Sequence, residues 1–334
     1  MTRRKLICLT PVKDEAWILE RFLKCASLWA DHIIIADQDS SDNSRQIAGA
    51  FEKVILIRNP SEVFNEPDRQ KLLIAEARKI PGPKILLALD ADEILSGNWS
   101  QSQEWRAMMS APEGTVIRFQ LANILPDLSR CWIPPIYFRW GFVDDGKTQH
   151  TGRRIHSARI PLPKGAPSIF VKDIKMLHYQ YTDWERMRSK HRWYQAWEML
   201  HNNRNSAVSL YRGYHHMYSV KPSSIARIRE EWFAGYEALG VDMRSVCRDE
   251  RYRWDREILK MFSEHGAGRF AKLAIWDIDW RVVAERLGYE NASDFIDPRN
   301  KWQKMLHGWL KGTQPDAKSL NIRLMDRILK LLGL

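Results

Sequence analysis

Lys84-Ile85-Leu86-Leu87-Ala88-Leu89-Asp90-Ala91-Asp92-Glu93 decides the fold. After Lys84 the run carries no charge as far as Leu89, is rich in Leu and Ile, and is entered through Pro81-Gly82-Pro83. A short apolar run between turn residues fits a central parallel strand, covered on both faces, better than a helix. It delivers the chain directly into Asp90, Asp92 and Glu93. Alternate side chains of a strand share a face, so Asp90 and Asp92 are expected on the same side. Two hard oxygen ligands at the open end of a strand suit Mg²⁺ or Mn²⁺ carrying a substrate diphosphate. The plainer alternative is a polar exit from strand to loop. A second Asp-x-Asp, at Asp277 and Asp279, follows Phe270-Ala271-Lys272-Leu273-Ala274-Ile275-Trp276, which lacks strand punctuation and runs on into helical spacing. What precedes each motif decides between them.

Upstream, Leu6 to Pro11 reads as a first strand, and Glu15 to Trp29 as a helix with Ile18, Phe22, Cys25 and Trp29 on one side. Ile33 to Ala36 is a second buried strand, ending in Asp37-Gln38-Asp39-Ser40-Ser41-Asp42, whose Ser and Asp side chains can cap a helix around Ile47 and Phe51. Val54 to Ile57 gives a third strand, and Pro67 opens a helix past Arg69 and Leu73 that Pro81 closes. Four alternating units argue for a mostly parallel sheet flanked by helices, whose ligands bind outside the carboxyl ends of the strands. Those ends carry Lys13-Asp14-Glu15, Asp37 to Asp42 and Asp90 to Glu93. No Gly-rich phosphate loop is present, which argues against a dinucleotide or P-loop enzyme.

Downstream the pattern is mixed. A helix is expected from Trp99 to Met109, a strand at Val116 to Phe119, and a long aromatic loop from Cys131 to Phe142. Thr182-Asp183-Trp184-Glu185 reads as a capping box opening a helix through Trp197. Lys221-Pro222-Ser223-Ser224 looks like a boundary, with helices beginning near Ser224, Arg248, Gly268, Pro298 and Ser319. The expected organisation is a catalytic domain over 1–220 and a helical extension over 221–334.

With 334 residues the chain can bury a substantial core, and 44% hydrophobic content with 15 Trp excludes disorder. Cys8, Cys25, Cys131 and Cys247 form no Cys-x-x-Cys pair and read as buried free thiols in a reducing compartment. The apolar run after Arg3-Arg4-Lys5 is too short for a signal peptide, so a cytoplasmic protein is expected. The net charge of +11 implies attraction to anions. It concentrates between Lys147 and Arg192, where eleven Lys and Arg face three Asp and Glu, so an anionic donor or acceptor could lie between this segment and the acidic motif.

Taken together, Thr10-Pro11-Val12-Lys13-Asp14-Glu15, the turn from Asp37 to Ser44 and Leu89-Asp90-Ala91-Asp92-Glu93 resemble the nucleotide-sugar half of a family-2-type glycosyltransferase with the GT-A fold. His178-Tyr179 is similar to the histidine that follows the acidic motif in many such domains. The resemblance covers roughly residues 5–200 and leaves out the helical tail. It implies an inverting, hexosyltransferase-like enzyme moving a sugar from a nucleoside diphosphate donor, expected to be a UDP-sugar, to a saccharide or lipid-linked saccharide. It implies that Asp37 contacts the uracil or ribose, that Asp90 lies near the ribose, and that Asp92, with His178, holds Mn²⁺ or Mg²⁺. Pro11, Lys13, Glu15, Arg69 and Ala91 complete the donor-binding set. Asp39 stands where the family usually has a small residue. A catalytic base is implied in an acidic pair after the mid-domain loops, and Asp144-Asp145 is the pair in that stretch, although Asp-Asp-Gly is also a turn sequence.

Several other residues have two readings. Trp132, Tyr137 and Trp140 either stack on a sugar or fill a satellite core. His150 and His156 flank Arg153-Arg154 and rank below His178, while His215-His216 lacks partner ligands at useful spacing. Leu324, Met325, Ile328, Leu329 and Leu332 share one helical face with Arg323, Arg327 and Lys330 elsewhere. That helix would dock on protein or, less simply, lie on the inner face of an anionic membrane. A nucleotidyltransferase and a basic nucleic-acid-binding protein are the competing functions. The first usually needs a Gly-rich basic loop after its first strand, and the second conflicts with three acidic clusters on the sheet edge. The expectation is therefore no nucleic-acid partner.

Overall fold

The structure is a computed structural model and describes residues 3–61, 64–202, 205–248 and 251–334. The chain divides into two compact units, Met1–Thr182 with Ala226–Arg248, and Asp183–Ile225 with Asp249–Leu334. It passes between them three times, where the sequence reading places one boundary at 220/221.

The first unit begins β1 (Lys5–Val12), α1 (Ala16–Trp29), β2 (His32–Asp37), α2 (Ser44–Gly49), β3 (Val54–Arg58), α3 (Glu66–Lys79) and β4 (Lys84–Ala88). The four strands run parallel in the order β3-β2-β1-β4, with Leu9 level with Ile34 on one side and Ala88 on the other. Strand alternation sorts their side chains between two cores. Leu6, Cys8, Ile33, Ile35, Ile85 and Leu87 pack with Ile18, Leu19 and Phe22 of α1, and Ile7, Leu9, Ile34, Ala36, Leu86 and Ala88 pack with Leu73, Ile74 and Ala77 of α3. These four strands form the expected parallel sheet flanked by helices. Phe51 lies beyond the end of α2, and the N-cap residue Asn43 makes no side-chain cap bond. Asp42 instead accepts from the amides of Ser44 and Ala16, both at 2.9 Å.

The sheet continues through β5 (Glu93–Leu95), then α4 (Gln103–Ser110), β6 (Val116–Ile124), β7 (Arg130–Trp132), β8 (Phe138–Val143) and β9 (Ser168–His178). The aromatic loop expected from Cys131 to Phe142 is thus largely strand. β8 runs antiparallel between β4 and β6, with Gly141 level with Leu87 and Ile117. A Cβ on Gly141 would sit 2.7 Å from the Ile117 Cβ and 2.8 Å from a Leu87 methyl, so the close strand approach requires glycine. Trp140 and Phe142 are both buried, which hides the polar alternation that marks a half-exposed strand.

In the second unit, α5 (Trp184–His201) and α6 (Ala207–Tyr214) precede the crossing at β10 (Ile225–Arg227) and α7 (Glu231–Glu237). Then come α8 (Arg253–His265), α9 (Trp280–Arg286), α10 (Lys301–Thr313) and α11 (Leu320–Leu331). Gly268 lies in a single 3₁₀ turn rather than opening a helix. The cap of α5 is Asp183, accepting from Arg186 N at 3.1 Å, whereas Thr182 donates its hydroxyl to the Tyr179 carbonyl at 2.7 Å. α11 docks through Asp326, 3.1 Å from Arg212, and through Leu329 against Val208, Tyr211 and Leu310. Among the described residues no helix is long and apolar enough to cross a membrane. Cys247 is exposed, unlike the other three cysteines.

Candidate active site at the carboxyl end of the parallel strands

β4 stops at Ala88, and residues 90–92 form a turn closed by the Glu93 amide on the Asp90 carbonyl at 3.0 Å. The strand argument for Asp90 and Asp92 sharing a face therefore does not apply, and their carboxylates have different partners. Arg159 Nη2 lies 2.7 Å from Asp90 Oδ2 and 3.1 Å from Glu93 Oε1, and its Nη1 donates to Glu93 Oε2. Burial alone would depress the Arg159 guanidinium, and the Asp90 and Glu93 carboxylates hold it above its ordinary value instead. Burial pushes the Glu93 carboxyl up, against the pull of Arg159. The guanidinium also faces the ring of buried Trp140, 5.4 Å from its centroid. Trp132 is likewise buried, 4.5 Å from the Tyr181 ring, so both tryptophans serve as packing, while half-buried Tyr137 meets the exposed Phe170 edge-on.

Asp92 pairs with His178. In the sheet His178 stands level with Glu93 of β5 and Asn123 of β6, and this register sets its Nε2 3.8 Å from Asp92 Oδ2. Asn123 Oδ1 lies 2.7 Å from His178 Nδ1. An amide oxygen only accepts, so Nδ1 carries a proton, and in the neutral ring Nε2, the nitrogen facing Asp92, is the one that could ligate a metal. Among the described residues no group of three or more His, Cys, Asp or Glu forms a metal cage. Two donors are enough for a cation that takes its remaining ligands from a substrate diphosphate and water. Cis ligands about 2.1 Å from one ion stand about 3 Å apart, within a side-chain adjustment of the spacing here. The donor set thus fits Mn²⁺ or Mg²⁺, and the imidazole favours Mn²⁺.

Two strands away, Asp37 ends β2 almost fully buried. Its Oδ2 accepts from Ser40 N at 3.3 Å and lies 3.6 Å from Arg45 Nε, while its Oδ1 has no hydrogen-bond partner among the described residues. A buried carboxylate oxygen without a donor is costly, which marks it as an acceptor for a ligand. The loops after β1 and β2 are laced together around it. Asp14 accepts from Ser41 N at 2.6 Å, and Glu15 N donates to Ser44 Oγ at 2.9 Å. Asp14 and Asp39 take left-handed φ values of 53° and 49°, a conformation Asp tolerates better than most residues. Asp39 is held by Arg58 at 2.8 and 2.9 Å, and Glu15 accepts from the Trp17 indole at 2.7 Å. Pro11 lies on β1 beside Ala36, Lys13 follows that strand, and Ala91 is buried in the turn. Arg69, on the first turn of α3, has a buried Nε without a partner among the described residues. The start of α3 is tied to the Arg159 segment through Glu66, which accepts from Ser157 N at 2.6 Å.

Asp144 and Asp145 lie elsewhere. Asp144 N donates to Lys84 O at 3.1 Å, at the amino end of β4. The length of β4 puts them roughly 20 Å from Asp90. Asp144 is buried against Arg78 at 2.8 Å, and Asp145 holds a turn by accepting from Thr148 N at 2.8 Å. The expected base pair is therefore not part of this cluster. His150 Nε2 meets Ala158 O at 2.6 Å, and His156 sits at φ 54° in a loop. Asn123 and Arg159 were absent from the sequence expectations, and the only signal for Arg159 was the basic stretch that contains it.

No family model matches the chain, and no curated protein matches it. Among solved structures it is similar to glucosyl-3-phosphoglycerate synthase from Mycobacterium tuberculosis in complex with Mn²⁺, UDP and glucosyl-3-phosphoglycerate. That match has 13% identity and a TM-score of 0.27, covering 34% of this chain and 43% of the synthase. It is similar to residues 1–349 of S. aureus TarS at 10% identity and a TM-score of 0.39, over 98% of this chain and 91% of that one. It is also similar to 4-diphosphocytidyl-2C-methyl-D-erythritol synthase from Anaerococcus prevotii at 12% identity and a TM-score of 0.27, over 42% and 70% of the two chains. The chain spans about two fifths of the mycobacterial proteins it matches. At such identities and TM-scores these likenesses assign nothing to the chain, and what the site can do follows from its own geometry.

Proposed function

We propose that this chain is a metal-dependent glycosyltransferase that moves a hexosyl group from a nucleoside diphosphate sugar, most simply a UDP-sugar, to a saccharide or lipid-linked saccharide. The pairing of Asp92 with a tautomer-fixed His178 at the end of the parallel sheet carries this reading. Asp92 and His178 hold the cation, and Asn123 keeps the His178 acceptor nitrogen aimed at it. When bound, the ion neutralises charge developing on the leaving diphosphate. The partnerless Asp37 oxygen accepts a hydrogen bond from the base or ribose, and Arg159 orients Asp90 toward the ribose. Inversion at the anomeric carbon belongs to the reading through the family resemblance, and Asp144 and Asp145 have no part in it.

The acceptor end has its own support in α11. Its exposed face carries Leu324, Met325, Ile328 and Leu331 beside Arg323, Arg327 and Lys330, a composition matched to an anionic bilayer. Co-sedimentation with phosphatidylglycerol vesicles, abolished by Leu324→Ser with Ile328→Ser, checks that contact.

The central test measures thermal stabilisation by UDP, GDP, CMP and single-stranded RNA, each with and without Mn²⁺, together with UDP-hexose hydrolysis. Stabilisation by a nucleoside diphosphate only with Mn²⁺, and hydrolysis lost in a folded Asp92→Asn variant, supports the transferase. Stabilisation by RNA alone would replace it with nucleic-acid binding. Pyrophosphate release from a nucleoside triphosphate without sugar transfer would replace it with nucleotidyl transfer.

A further inference from the structure

The second unit contains a pocket of about 750 Å³, within the range of small-ligand sites. It is lined by residues of α5, α6 and α10 and by the segment around Trp276. Gln195 on α5 is 1% exposed and lines it. Its Nε2 donates to the His191 carbonyl at 3.3 Å, which fixes the amide orientation because that carbonyl can only accept. Its Oε1 is buried with no hydrogen-bond partner among the described residues. A buried amide oxygen left without a donor is costly, so it calls for a ligand hydroxyl or amide.

Two more acceptors accompany it. His191 and His215 line the pocket, and their Nδ1 atoms meet the backbone carbonyls of Tyr214 at 2.8 Å and Tyr211 at 2.9 Å. Each Nδ1 must therefore donate, and Nε2 is left as the acceptor nitrogen of a neutral ring. Burial keeps both rings neutral, pushing His215 down to about 4 and His191 well below its ordinary value. Three acceptor atoms suit a molecule with several hydroxyl donors.

The charge of the lining points to a second feature of that molecule. Arg188 and Arg192 share the carboxylate of Asp277, Arg192 Nε at 2.7 Å, and Arg188 also donates to Glu185 at 2.9 Å, so these charges balance and the positive excess falls to the lysines. Lys311 lines the same pocket with no ion-pair partner among the described residues, and Lys304 stands 3.6 Å from Asp297, which Arg299 already holds at 2.9 Å. Flat apolar faces complete the wall. Tyr211 and His215 stack at 4.0 Å and 8°, and Trp276 lies against Phe262 at 4.9 Å and 5°.

We propose that this pocket binds an anionic saccharide, a sugar carrying a phosphate or a carboxylate, with Gln195, His191 and His215 accepting its hydroxyls and the lysine side chains facing its charge. The site is separate from the Asp92–His178 pair and does not depend on the transferase assignment.

Titration calorimetry of the full chain with glucose 6-phosphate, glucuronate, glucose and inorganic phosphate tests it. At least one anionic sugar binds, and both glucose and inorganic phosphate bind about tenfold more weakly than it does. The exposed pair Lys304→Ala with Lys311→Ala weakens that binding about tenfold without moving the thermal midpoint. Gln195→Leu weakens it as well, and the lysine pair decides the matter if that buried variant fails to fold. Binding persists in Asp92→Asn and in the presence of saturating UDP and Mn²⁺. Equal affinity for inorganic phosphate, no effect of the lysine pair, competition by UDP, or no binding of either anionic sugar each overturns the proposal.

Discussion

His215 makes the stability of the helical unit depend on pH in a calculable way. The ring is stacked on Tyr211, its Nδ1 is held 2.9 Å from the Tyr211 carbonyl, and burial drives its pKa from 6.5 to about 4. Asp277 raises that value slightly, while Arg188 and Arg192 lower it. The folded chain refuses a proton that the unfolded chain accepts, so stability is complete above about pH 6.5 and is lost as pH falls toward about 4. Between about pH 7 and about pH 5 the loss from this one ring comes to about 2 kcal/mol. His191, buried and displaced in the same direction, adds to it.

His215→Phe isolates the effect, because phenylalanine keeps the stacked face and cannot titrate. At neutral pH the variant is less stable by about 1 kcal/mol through the lost hydrogen bond. On acidification it is spared the proton uptake, so the wild type loses about 2 kcal/mol more than the variant over the same interval. Urea unfolding of both proteins at the two pH values, followed by tryptophan fluorescence and by circular dichroism, gives this difference of differences. Titrations of groups that do not interact with His215 cancel in it. Parallel losses in the two proteins would refute a neutral, buried His215.

Three further outcomes follow from the first unit. Arg159→Met leaves Glu93 buried without its partner and lowers stability by about 3–5 kcal/mol, a loss that Glu93→Gln in the same chain largely restores in a double-mutant cycle. Asn123→Ala frees the His178 tautomer and raises the Mn²⁺ concentration needed for half-maximal donor hydrolysis by about 10–100-fold, with little change at saturating metal. Gly141→Ala forces a methyl to within 2.7 Å of Ile117 and costs about 1–3 kcal/mol in urea unfolding, with no change in nucleotide specificity.

The parallel half of the sheet was legible because each of its strands is a short apolar run bounded by turn residues, and local pattern suffices for such strands. Asp37 drew attention as the end of a buried strand, and His178 through the family resemblance alone. β8 was missed because Gly141 and its buried aromatic neighbours do not alternate in polarity. Missing it also misplaced Asp144 and Asp145. β8 runs antiparallel to β4, so the residues that follow its carboxyl end lie at the amino end of β4, away from the ligand edge. The residues around Gln195 carried no sequence signal, because α5, α6 and α10 contribute one or a few side chains each and only tertiary packing collects them.

Asp90 and Asp92 illustrate what a motif leaves undetermined. Asp90, Asp92 and Glu93 crowd three carboxylates into four residues, and like charges so close disfavour full ionisation. The turn after β4 separates them, giving Asp90 and Glu93 to Arg159 and Asp92 to His178. Arg159 lies 69 residues from Asp90 in the chain, beyond the reach of any local pattern. With Asp90 and Glu93 on that guanidinium, Asp92 is left facing the His178 ring, its Oδ2 3.8 Å from Nε2. An acceptor atom beside a carboxylate is unfavourable unless a cation or a proton lies between them. Positive charge is therefore favoured between Asp92 and His178, supplied by a proton on Nε2 or, under the proposed function, by the metal.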